Sequence, residues 1–179
     1  AQPPMGLTPT IWQDKARYLE TYWSTFPGVW RHGDWVRHDA DGTWYILGRS
    51  DDTLNIAGKR IGPPEIEAAM TLTGKVIDAA AIAAPDALKG VAVVVVCVAA
   101  PGVTPDAALV DFLKDAVGTA VSKPFRPREI HFVEALPKTR TMKTMRRIVR
   151  AAFLGEDPGD LSSVQNPETI APIEALQGK

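Results

Sequence analysis

Residues 90–100 read GVAVVVVCVAA. An element with one wet face needs alternating polar positions, and this run has almost none to turn outward. β-branched valines favour a strand. The run is also far short of the roughly 20 apolar residues that a membrane-spanning helix requires. The reading that remains is a central strand covered on both faces. Such a strand demands strand neighbours and helices packed above and below it.

The flanking sequence supplies these parts. VIDAAAIAAPD precedes the run and reads as a strand, separated from it by turn residues 86–90. A Pro-rich connection and a third strand follow in KPFRPREIHFVEAL. GPPEIEAAMTLT has prolines and glutamates suited to a helix start, then Ile66, Ala69 and Met70 on one face. TPDAALVDFLKDAVGTAV reads as a helix with Thr104 at its N-cap and Pro105 at its first position. KTMRRIVRAAFL predicts a helix with Met142, Met145, Ile148, Val149 and Ala152 on one face and Lys143, Arg147 and Arg150 opposite. TLNIAGKRI reads as a short hairpin around Gly58. The predicted class is α+β: a small three-stranded sheet flanked by helices, with an added β-hairpin.

Residues 1–50 have a different character. All 5 tryptophans and all 3 tyrosines lie before residue 46. DKARYLETYWST predicts a short helix, and the turn signal DADG sits between two β-prone aromatic runs, so a hairpin is expected there. Two strands are not stable alone, so this unit reads as the trailing edge of a larger domain. The composition shift puts the seam near LGRSDDTLNIAGKRIG. Residues 156–179 are polar, contain prolines and read as a weakly ordered tail.

A formal net charge of −1 over 179 residues argues against nucleic-acid binding by the chain as a whole. The cations concentrate instead between Lys138 and Arg150. The single cysteine, Cys97, excludes an internal disulfide or a cysteine zinc cluster, and reads as a buried hydrophobe. The first residues lack the basic start and apolar stretch of a signal peptide, so a reducing, cytoplasmic setting is expected.

Three stretches bear on chemistry. Asp34 in HGDW is either a turn aspartate or a carboxylate taking both hydroxyls of a vicinal diol such as ribose. GRSDDTLNIAGKRIGPPEIE is either a charge-compensated surface loop or a phosphate-handling hinge, with the forked guanidinium groups of Arg49 and Arg60 and a close-approach glycine at Gly58. PKTRTMKTMRR places cations where a helix is expected to start, an unfavourable arrangement unless an anion sits there.

In order and spacing, GDW, DGTWYILGRSDDTLNIAGKRIGPPEIE and LPKTRTMKTMRR resemble the last three signature segments of the adenylate-forming superfamily, which includes AMP-forming acyl-CoA synthetases. The resemblance covers residues 30–155, and the flanks IWQDKARYLETYWSTFPGVW and GDLSSVQNPETI are similar to the acetyl-CoA synthetase branch. It implies a reaction in two halves. A carboxylate attacks the α-phosphate of ATP and releases pyrophosphate; coenzyme A then displaces AMP. It implies residues 1–50 as the tail of a large adenylation domain, 51–155 as a C-terminal lid, and Asp51 as the hinge. It further implies Asp34, Arg49 and Arg60 at the nucleotide, Ala57 and Gly58 at the pantetheine channel of CoA, and Lys143 as the adenylation lysine. Mg²⁺ would arrive with ATP, and no metal-ligand set of the chain's own is implied.

Partners are then a small carboxylic acid, short like acetate or propionate, with ATP and CoA, and the large N-terminal domain. No nucleic acid and no membrane are expected. Alone, 179 residues without a phosphate loop or acyl pocket should not catalyse the whole reaction. The sequence departs from the family at Met142, where glycine is usual, and in DAVGTAVSKPFR, which lacks the arginine that contacts the CoA 3′-phosphate; Lys123 and Arg126 lie nearby. Two other readings are an aryl- or amino-acid-activating ligase lid and a basic, non-catalytic binding module.

Overall fold

A computed structural model describes residues 6–50, 52–56, 58–88 and 90–177. The chain divides into two compact units, Ala1–Asp51 and Asp52–Lys179. In the first, helix α1 (Lys15–Trp23) is capped by Asp14, whose carboxylate accepts from the Arg17 amide. Strands β1 (Asp34–His38) and β2 (Trp44–Arg49) pair antiparallel, with a bulge between Trp35 and Val36. Tyr18 and Tyr22 pack together, and Tyr22 stacks on Trp30. The hairpin has no covered face: Trp35, Val36, Trp44, Tyr45 and Ile46 are all exposed.

The second unit is built around a three-stranded sheet in the order β5 (Val76–Asp86), β6 (Gly90–Ala99), β7 (Glu129–Phe132). The first pair is antiparallel and the second parallel. Alternate residues of β6 enter two separate cores. Val93, Val95 and Cys97 pack with Ile66 and Met70 of α2 (Pro63–Thr71) and with Leu113 and Val117 of α3 (Ala107–Ala120). Val94 and Val96 pack with Ile148 and Val149 of α4 (Arg146–Leu154) and with Ile170 and Ile173 of α5 (Ile170–Glu174). This is the two-sided burial that the valine run demands. A small hairpin, β3 (Leu54–Ile56) with β4 (Lys59–Ile61), buries Leu54, Ile56 and Ile61 in the first core and leaves Asn55, Lys59 and Arg60 exposed.

Three expectations change. Helix α3 is capped by Asp106, whose side chain accepts from the Leu109 amide at 2.7 Å, rather than by Thr104. A carboxylate there also meets the positive end of the helix dipole. Helix α4 begins at Arg146, not at Lys143. The Lys143 carbonyl, which would accept a helical bond, accepts instead from the Thr139 amide at 2.9 Å. Finally, the stretch read as a weakly ordered tail carries α5, and Ile170 and Ile173 are buried in the second core. Its two isoleucines, three residues apart, match one helical face amid otherwise polar sequence.

Cys97 is fully buried, and loss of hydration pushes its thiol up to about 12. A disulfide reagent at neutral pH should label it at least about a hundredfold more slowly in the native chain than in denaturant. Equal rates would contradict this burial.

Candidate active site

The stretch 137–145 is a tight hairpin turn rather than the first turn of a helix. Lys138 bridges to Thr144, Thr139 bonds to Lys143, and the Met145 amide donates to the Pro137 carbonyl at 2.9 Å. The two ends of the turn are held by ion pairs. On the incoming side, Lys138 Nζ lies 2.5 Å from Asp78 of β5 and donates to Thr144 Oγ1 at 2.8 Å. On the outgoing side, Arg146 grips Glu67 of α2 with two bonds of 2.6 Å, and its second terminal nitrogen is 3.8 Å from Asp52. That hydrogen bond to Glu67 is the main reason the Arg146 guanidinium is held above its ordinary pKa.

These pairings sort the basic cluster. Arg147 donates to the carbonyls of Pro158 and Asp160, and Arg150 pairs with Glu156. Arg140 and Lys143 are exposed, and among the described residues they have no hydrogen bond or ion pair from their side chains. Lys143 is thus a free ammonium on a turn whose base is fixed at both ends. The charge available to a polyanion is correspondingly small, since four of the cations between Lys138 and Arg150 hold the fold.

Gly58 and Arg60 share the β3–β4 hairpin. Gly58 has φ +76°, a conformation that L residues rarely adopt, with open space where a side chain would sit. Arg60 is exposed opposite Asn55, on the face away from the core. Ala57 and Asp51 lie outside the described residues. Near the hairpin, a cavity of ≈ 330 Å³ is lined by Ile56, Lys123, Arg126 and Arg128 among others. Arg126 pairs with Asp115, and Arg128 with Asp86 and Glu129; Lys123 is exposed.

In the first unit the Asp34 carboxylate, 15% exposed, contacts His32 Nδ1 and lies 3.9 Å from Arg49. Gly33 permits this approach: it has φ +90°, and a Cβ there would lie 3.3 Å from the Arg49 guanidinium. A carboxylate has about four acceptor positions, so Asp34 retains capacity for further donors. Among the described residues no three His, Cys, Asp or Glu side chains gather as a metal site. No helix there is long and apolar enough to cross a membrane.

Residues 65–143 match the family described as the AMP-binding enzyme C-terminal domain. This stretch is an AMP-binding enzyme C-terminal domain. Over 169 residues the chain is 37% identical to the acetyl-coenzyme A synthetase of Pyrobaculum arsenaticum, covering 94% of this chain and 25% of that protein. It is 39% identical to the propionate–CoA ligase of Salmonella typhimurium, covering 95% of this chain and 28% of the relative. Among solved structures, the acetoacetyl-CoA synthetase of Streptomyces lividans superposes with a TM-score of 0.77 at 30% identity, covering 91% of this chain and 25% of that one. The chain therefore spans about a quarter of the length of the relatives it matches.

Within this AMP-binding C-terminal domain, Met142 now has a physical meaning. It has φ +62° and is 68% exposed. The turn needs a left-handed residue immediately before Lys143, which is the place where glycine is usual in the resembling family. Holding a side chain there costs about 1–2 kcal/mol. Met142→Gly should therefore stabilise the domain by about 1 kcal/mol after glycine's greater freedom in the unfolded chain is subtracted. A urea titration showing no gain or a loss would contradict this.

Sequence reasoning missed Glu67 and Asp78. Glu67 was read only as an acid near a helix start; it also accepts from the Ala81 amide at 3.0 Å, so it joins helix, sheet and turn. Its signal was its place three residues before Met70, at the edge of the buried stripe.

Proposed function

We propose that the chain is the C-terminal lid of an AMP-forming acid–CoA ligase that acts on a short carboxylic acid such as acetate or propionate. The observation carrying this reading is Lys143, an unpaired exposed ammonium on a turn braced at both ends, inside a matched AMP-binding C-terminal domain. The names of the most similar relatives support the substrate class.

In the first half-reaction the substrate carboxylate oxygen bonds to the α-phosphorus of ATP and the bond to pyrophosphate breaks. Negative charge grows on the α-phosphate oxygens and on the leaving group. Lys143 offers an ammonium aimed at charge that develops only in that transition state. Asp34 holds the ribose hydroxyls, with Arg49 beside it, and Arg60 faces phosphate. In the second half-reaction the CoA sulfur, its proton removed, attacks the acyl carbonyl and AMP departs. The tight Gly58 turn, with Ala57, lets the pantetheine arm pass close to backbone. The basic cavity beside Ile56 suits the phosphates at the other end of CoA, with Lys123 the lining cation that, among the described residues, is not tied to a carboxylate as Arg126 and Arg128 are. Between halves the lid swings at Asp51, a reading supported by the boundary between the two compact units. Mg²⁺ would come with ATP and would supply polarisation of the phosphate oxygens.

The test is a chimera in which this chain replaces the corresponding C-terminal portion of a curated short-chain relative. It should form AMP, pyrophosphate and acyl-CoA from acetate or propionate, and the same protein without a C-terminal portion should not. A folded chimera unable to form acyl-adenylate would contradict the reading.

A further inference from the structure

The geometry points to Asn166 as a positioning residue for the Lys143 turn, and to residues 161–176 as a third brace on it. This segment lies beyond the matched domain, which ends at residue 143. The Asn166 side chain clamps the strand that enters the turn. Its Oδ1 accepts from the Lys138 amide at 2.8 Å, and its Nδ2 donates to the Leu136 carbonyl at 2.9 Å. Beside it the Gln165 amide donates to the Lys138 carbonyl at 2.8 Å, and Thr139 bridges antiparallel to Val164. The incoming arm thus sits between two partners: the returning arm at Thr144 on one side and the C-terminal segment on the other.

The segment is itself anchored. Ile170 and Ile173 are buried against Ile148 and Val149, and Gln177 donates to the Ala152 carbonyl. Arg147 holds the connecting loop at Pro158 and Asp160. The loop between α4 and α5 therefore returns the chain to the turn that carries the Lys143 ammonium. An arm with strained Met142 at its tip needs such support, because a lysine stabilises a developing charge only when its base does not move. Asn166 touches no reacting group; it acts through Lys138 and Thr139.

This inference rests on the reading of Lys143 given above, and its test separates the two. In the 179-residue chain, amide exchange followed by NMR should show the Lys138, Thr139 and Met142 amides opening about tenfold faster in Asn166→Ala, with Val94–Val96 unchanged. Gln165→Pro, at an exposed side chain, removes the N–H that donates to the Lys138 carbonyl and should do the same. In the chimera, both variants should slow acyl-adenylate formation by a similar factor and leave transfer from supplied acyl-adenylate to CoA unchanged. If Asn166→Ala also loosens Val94–Val96, it has loosened the whole unit, and Gln165→Pro carries the test. Turn amides that exchange at the parental rate in the deciding variant overturn the brace, as does equal loss of both half-reactions or faster exchange with adenylation intact. Adenylation that survives Lys143→Ala overturns the catalytic reading instead, whatever the exchange rates show.

Discussion

Lys143→Ala in the chimera should slow acyl-adenylate formation by roughly two to three orders of magnitude, the effect of deleting one preorganised charge from a phosphoryl-transfer transition state. The size follows from the geometry. Lys138, Arg146, Arg147 and Arg150 are tied to Asp78, Glu67, the Pro158 and Asp160 carbonyls and Glu156, so none of them is free to take over. Arg140 is exposed on the same turn, and Arg140→Ala serves as the control. It should cost adenylation less than about tenfold, the scale of a screened surface charge. If Arg140→Ala matched the lysine variant, the turn would be acting through its overall charge rather than through one positioned ammonium.

Glu67→Ala should have the largest effect on stability. Its carboxylate, 12% exposed, takes two bonds from Arg146 and one from the Ala81 amide. Removing it strands a half-buried guanidinium and a strand amide, a loss of roughly 3 kcal/mol. For a unit of this size the thermal midpoint should fall by roughly 10 °C. Glu67→Gln keeps an oxygen for Ala81 and should lose less. Replacing both Glu67 and Arg146 by methionine should restore part of the loss, because no unpaired charge is then left behind. A Glu67→Ala protein with an unchanged midpoint would mean that the pair contributes nothing net to the fold. Loss of the anchor should also loosen the outgoing arm of the Lys143 turn.

Much of this architecture was legible because it is written in apolar pattern. The valine run could only be a strand covered on both faces, and its alternate residues do enter two cores. Gly58 and the proline pair at α2 were equally readable, since each carries a backbone constraint in its own chemistry. What escaped was set by partners distant in sequence. Nothing local says that the Lys143 carbonyl will bond Thr139 instead of continuing a helix. Helical periodicity runs smoothly through Met142, and only its positive φ shows that the turn breaks it. Likewise the polar, proline-bearing end looked loose because its two buried isoleucines are outnumbered locally; their partners are on α4. The ion pair of Arg146 has no local signal, because the acid that holds it lies 79 residues away.

The central claim is that one positioned lysine serves adenylation and is not needed afterwards. The most direct measurement supplies acyl-adenylate and CoA to the Lys143→Ala chimera and follows thioester formation. The rate should lie within about twofold of the parent chimera, because the lid swing has withdrawn Lys143 from the α-phosphate before the thiol attacks and AMP is released. A loss matching that in adenylation would show that Lys143 supports the lid as a whole, and the assigned role would be wrong.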